Sequence, residues 1–189
     1  PQARLLLIGE APGKTEIERA RPFVGPSGRE VDRALSQAGL QRDDVSITNT
    51  ILCRPPKGKS LQSFLTVQRR RDKSKLSPLV ACAPRLDREI QKAGPQGILT
   101  LGSVAFGVHS GARKERRPGE RALQGLETQR GHPFRLPNGS ILVATYHPAH
   151  ALRSARWELG AIRRDVAKLR RIVIDQNGTY RFRPADWIL

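Results

Sequence analysis

The chain has 189 residues, 38% of them hydrophobic and 27% charged, which suits one domain with a buried core and excludes a disordered chain. Its longest apolar runs, such as Leu5–Ile8, are a few residues long, too short to span a bilayer, and no signal-peptide pattern opens it. Lys and Arg number 34 against 17 Asp and Glu, a formal charge of +17 whose self-repulsion suits a protein that meets a polyanion.

In chain order, the first residue is Pro1 and there is no Met, so removal of the initiator is expected. Leu5–Ile8 reads as a buried strand that runs into the turn Gly9-Glu10-Ala11-Pro12-Gly13. Ser27 and Glu30 have capping-box spacing, Val31, Ala34, Leu35 and Ala38 mark one face, and Gly39 ends it; these predict a helix over 27–38. Residues 45–52 are the next strand, stopped by Pro55-Pro56. Residues 57–77 have weak periodicity, and Lys57 to Lys75 holds seven basic residues and one acid, so this stretch is read as an exposed basic insertion. Leu79, Leu86, Ile90 and Ala93 predict a helix that Pro84 confines or kinks.

Residues 98–101 are a third strand, and Gly102-Ser103 starts a short helix to about Val108. Residues 111–125 read as a loop, basic between Arg113 and Arg121. Residues 141–146 are a fourth strand, His147 opens a loop, and 157–173 form a final helix. Arg153 to Arg171 carries seven basic residues and two acids. A tail, 174–189, docks on the core through Tyr180, Phe182, Trp187 and Ile188.

Strands alternating with helices predict a three-layer α/β/α sandwich, with a central four-stranded parallel sheet, in a domain of residues 1–173. Ligands of such sheets bind beyond the carboxyl ends of the strands. The turn Gly9–Gly13, Asn49 and His147 all fall there. The turn is not a nucleotide phosphate loop, because three residues separate its glycines where that motif needs four. It brings backbone amides and the Glu10 carboxylate to a pocket, or it is a plain strand exit. Phe23, held between Pro22 and Pro26, either packs in the core or stacks on a planar ring. The Asn49 amide offers a donor and an acceptor side by side, as a pyrimidine edge requires, or it forms a turn. His132-Pro133 follows no predicted strand and is given no role. Two cysteines, Cys53 and Cys82, make no disulfide framework; they form one structural bridge at most, and a reducing cytoplasm is the favoured reading.

Gly-Glu-Ala-Pro-Gly at 9–13, Pro-Phe-Val-Gly at 22–25, Thr-Asn at 48–49, Cys-Arg-Pro-Pro at 53–56, Leu-Gly at 101–102 and Tyr-His-Pro-Ala at 146–149 occur in this order. Together they resemble the uracil-DNA glycosylase superfamily, most closely its family 4, the iron–sulfur type, over residues 4–172. The resemblance implies a monomeric enzyme that flips uracil out of single- or double-stranded DNA and cleaves its N-glycosidic bond in base-excision repair, with no membrane partner. It implies that Phe23 stacks on uracil, that Asn49 reads the N3/O4 edge, and that Gly9, Glu10 and Ala11 line the pocket. His147 then faces O2, and Glu10 stabilises the sugar cation or orients water. His150, Ala151 and Leu152 fill the gap left by the base, and Arg153 holds a phosphate.

Other branches of the superfamily carry an Asp where Ala11 stands. One branch traps itself on DNA through a His in the basic loop after the Thr-Asn strand; residues 57–75 contain no His, which implies turnover. Cys53 and Cys82 match two of the four ligands of that family's [4Fe–4S] cluster, and the other pair belongs upstream of residue 9; the alternative is no cofactor. A DNA-binding module without activity, or a glycosylase for another base, are the other readings of the same residues.

Overall fold

The computed structural model describes residues 4–57, 61, 63–65, 77–109 and 125–177. Five strands form one sheet: β1 (Leu5–Gly9), β2 (Val45–Asn49), β3 (Gly97–Leu101), β4 (Pro133–Arg135) and β5 (Ile141–Thr145), in the order β2-β1-β3-β5-β4. The first four positions are parallel, as expected; β4 is a fifth strand, antiparallel to β5. It is three residues long and begins at Pro133, too short to alternate visibly and starting with a residue that only an edge tolerates. Phe134 anchors it, nearly fully buried against Phe106.

The strand side chains alternate between two cores, which explains the unbroken apolar runs of a sheet covered on both faces. Leu5, Leu7, Leu99, Leu101 and Val143 meet α2 (Pro26–Gln37) and α7 (Glu158–Arg170) through Val31, Leu35, Ile162 and Leu169. Leu6, Ile8, Ile98 and Leu142 meet α3 (Pro78–Ala93) and α4 (Ser103–His109) through Leu86 and Phe106. Each fully buried Leu or Ile contributes about 2 kcal/mol, so these two faces carry the fold.

Several expected boundaries move for local reasons. α2 starts at Pro26, whose fixed φ suits a first helical position. α3 is capped by the Ser77 hydroxyl, which accepts from the Val80 amide, and it runs through Pro84. Two short helices, α1 (Lys14–Arg19) and α5 (Leu126–Gln129), were not readable; α1 buries no side chain and so shows no apolar period. The expected loop after His147 is instead a helix, α6 (Pro148–Arg153). α7 runs into a wide π-helical turn, Arg171–Asp175, that buries Ile172 and Val173, so the backbone does not break at 173. Most of the basic insertion 57–77, the loop 111–124 and the tail from 178 with Tyr180, Phe182, Trp187 and Ile188 lie outside the described residues.

Candidate functional site

The carboxyl ends of β1, β2 and β5 close around a hollow of about 350 Å³, whose walls include Glu10, Ala11, Phe23, Asn49 and His147. The exits of β1 and β2 are stitched together. Thr50 donates its amide and its hydroxyl to the Gly9 carbonyl, both at 2.8 Å, and the Ile51 amide donates to the Glu10 carbonyl at 3.1 Å. From α3, Arg85 donates to the Asn49 carbonyl at 2.8 Å and the Thr50 carbonyl at 3.1 Å. Asn49 is therefore fixed from both sides, at the end of a strand that needs no Asn for its own sake.

Gly9 sits directly opposite Asn49 in the β1–β2 register. A Cβ there would lie 2.4 Å from Asn49 Oδ1 and 2.5 Å from Phe23 Cζ, so only glycine lets the amide and the ring approach each other. Asn49 is 3% exposed, and its Oδ1 has no hydrogen-bond partner among the described residues. A buried amide oxygen without a partner is costly, and it suits a site built to bind a donor.

Phe23 has φ of +52°, a left-handed conformation that costs a non-glycine residue about 1–2 kcal/mol. Two groups hold it there. Glu16 Oε1 accepts from the Val24 amide at 3.1 Å and the Gly25 amide at 2.7 Å. Arg42, paired with Asp32 at 2.8 Å, donates to the Phe23 carbonyl at 3.0 Å and to the Pro22 carbonyl. The Phe23 ring is thereby buried in the core, as one reading of its sequence context expects, and it also forms a wall of the hollow. Glu16 also lines the hollow. The sequence carried no signal for either clamp, because Glu16 lies in an exposed polar helix and Arg42 in a charged turn.

His147 caps α6, its Nδ1 accepting from the Ala149 amide at 3.1 Å. That bond leaves the ring proton on Nε2. Burial pushes the imidazole pKa down to about 4, the positive charges of Arg153 and His150 push the same way, and Glu16 opposes them. The ring is neutral at pH 7. It stands 6.2 Å from the Phe23 ring, centroid to centroid. The strand before it is braced: Thr145 donates to Asp165 at 2.7 Å, and Arg130 donates to both Asp165 oxygens.

Glu10 stands between this hollow and a second one of about 390 Å³, lined also by Gly102, Tyr146, His147, His150 and Arg153. Burial raises its pKa above the usual carboxylate value, against the Val104 amide, Arg153 and His150, which lower it. Glu10 Oε1 accepts from that amide at 3.0 Å. Gly102, at φ +98°, leaves room for the carboxylate; a Cβ there would lie 2.4 Å from Oε1.

On α6, Arg153 is exposed and lines both hollows, and His150 is exposed and held to the buried Glu158 at 2.8 Å. Leu152 is half-buried and lines neither hollow, and Ala151 is fully buried in the core, which removes it from any exposed wedge. Cys53 is exposed and Cys82 is half-buried on α3. Burial raises the Cys53 thiol pKa, and the nearby Cys82 adds to the rise. Two thiols do not make a four-thiolate site, and no group of three or more His, Cys, Asp or Glu among the described residues is placed to hold a metal. No helix among the described residues is long and apolar enough to cross a membrane.

Known proteins are similar to this chain over most of its length. The family model described as "Uracil DNA glycosylase superfamily" matches residues 1–168. The chain is 32% identical over 178 residues to the Type-4 uracil-DNA glycosylase of Sulfurisphaera tokodaii, covering 92% of this chain and 72% of that one. It is 34% identical over 166 residues to the Type-4 enzyme of Pyrobaculum aerophilum, covering 86% and 74%. To that of Thermotoga maritima it is 28% identical over 159 residues, covering 84% and 71%.

Proposed function

The chain belongs to the uracil-DNA glycosylase superfamily, and on that premise we propose that it extrudes uracil from DNA and hydrolyses its N-glycosidic bond, leaving an abasic site for base-excision repair. The observation that carries this reading is the buried, unpartnered Oδ1 of the Asn49 amide beside the Phe23 ring. Uracil offers an N3–H donor next to an O4 acceptor, so one amide satisfies both. Cytosine presents an acceptor and a donor in the reverse order and would leave two buried groups opposed.

In this reading Phe23 stacks on the flipped ring. As the bond from N1 to C1′ breaks, its electron pair leaves with the base and spreads onto O2. The neutral His147 donates there from Nε2, a fixed dipole aimed where charge develops. The sugar is left cationic, and water adds at C1′ and gives up a proton to solvent, leaving the abasic hemiacetal beside the released uracil anion. Ala11 brings no carboxylate to this step, and Glu16, the other acid of the wall, accepts from the Val24 and Gly25 amides, so Glu10 is assigned to steady the cation or orient the water. Arg153, His150 and Leu152 on α6 face the strand, with Arg153 on a phosphate. The enzyme is read as a monomer, and the free thiols suit a reducing cytoplasm.

In the resembled family a [4Fe–4S] cluster would draw on Cys53 and Cys82, but the two thiols present are half the ligand set, and no step here runs through a cluster. Single-turnover excision from a uracil oligonucleotide tests the reading. Asn49→Ala and His147→Ala are each expected to slow release on the order of a hundredfold, with affinity for uracil-free DNA unchanged. Unchanged rates in both variants would remove the site assignment.

A further inference from the structure

Trp157 is 66% exposed, the most open of the large apolar side chains Ile17, Leu52, Val80 and Trp157. Single exposed apolar residues are common and need no explanation. This one differs in three respects. Its ring makes a T-shaped pair with Tyr146, at 5.6 Å between centroids and 81° between planes, so the indole is oriented by a neighbour while most of it stays in water. Tyr146 directly precedes His147 and lines the second hollow beside Arg153, which puts the indole next to the site. It also follows the exposed Arg153 and Arg156 in the chain, within a stretch from Arg153 to Arg171 with seven basic residues and two acids.

A flat, oriented indole among cations matches an unpaired strand: the arginines meet phosphates, and the ring meets a base. Every base has a π-face, so such a contact is sequence-tolerant. Extrusion of one nucleotide leaves its neighbours partly unstacked, and these are the bases within reach of the rim. Resting on the reading of this face as the DNA-binding one, we propose that the Trp157 indole stacks on an unpaired base flanking the extruded nucleotide. An arginine alone would bind the backbone equally well with or without bases; the ring makes the surface discriminate between them.

Equilibrium binding tests this without any catalytic step, with two single strands of equal length, one of thymidines and one made wholly of abasic sites. Trp157→Ala is expected to weaken binding to the thymidine strand about tenfold and to leave the abasic strand unaffected, while Trp157→Phe keeps most of the affinity. An equal loss on both strands, no loss on either, or no binding by the unaltered protein would overturn the proposal. The indole is mostly exposed, so melting curves of both variants should match the parent. Uracil release by the parent is read separately: its absence would sink the glycosylase reading while leaving the base-dependent contact standing.

Discussion

Gly9 and Asn49 face each other across two neighbouring parallel strands, and the missing side chain of the first makes the space that the amide of the second occupies. Gly9→Ala would set a methyl 2.4 Å from Oδ1 and 2.5 Å from the Phe23 ring. Both groups are pinned, the amide by the backbone stitching at Thr50 and the ring by its clamps, so neither moves aside cheaply. The expected outcome is at least a tenfold loss of uracil excision with a stability cost of about 1–3 kcal/mol. Single-turnover kinetics beside thermal unfolding measures both; a variant with parental kinetics would show that ring and amide are freer than described.

The Glu16 carboxylate touches the two amides that follow Phe23 and thereby fixes a strained ring. Glu16→Ala leaves those amides without their acceptor and lets Phe23 relax from its left-handed conformation. Excision should fall about tenfold, and Glu16→Gln, which keeps an oxygen for the amides, should recover most of it. If the Gln variant is as poor as the Ala variant, the negative charge beside His147 matters more than the clamp, and the pH profile of the Gln variant would then differ from the parent.

The sequence displayed the parts of this molecule that repeat and hid the parts that meet. Leu5–Ile8 and the 98–101 segment were legible as strands because both faces of the sheet are buried and the apolar run is nearly unbroken. Asn49 and His147 stood out because polar residues at strand ends have few structural reasons to be there. Glu16 and Arg42 did not stand out: each acts on the backbone of residues eight to twenty positions away, through carbonyls and amides that have no identity in a sequence. β4 failed to show for a different reason, since three residues cannot display a period. Helix α6 was missed because Pro148 reads as a break, although it serves as a helix start once His147 caps it.

Glu10 is a half-buried carboxylate with its pKa raised chiefly by desolvation. If its charge steadies the sugar cation, excision needs the ionised form, so the rate should fall as pH drops through the raised pKa, above the usual value of 4.5. Glu10→Gln keeps the shape and an acceptor for the Val104 amide but cannot ionise. Its rate should be low and should lack that acid limb. A limb that survives in the Gln variant would belong to another group and would leave Glu10 a mere tie between β1 and α4.

His147 makes a prediction about stability rather than rate. Its pKa is about 4 in the fold against 6.5 when free, so between these values the unfolded chain binds more protons at this position than the folded one. Stability is therefore lost as pH falls from about 6.5 toward 4 and regained as it rises. The shift bounds the effect at about 3 kcal/mol, and the ring's opening onto the hollow reduces it below that bound. His147→Gln removes the titration while keeping a polar side chain at the helix cap, so urea unfolding of this variant should depend less steeply on pH over that window than the parent does. Equal slopes would mean that the imidazole is already hydrated in the fold, and the neutral donor at Nε2 that the excision step requires would lose its physical basis.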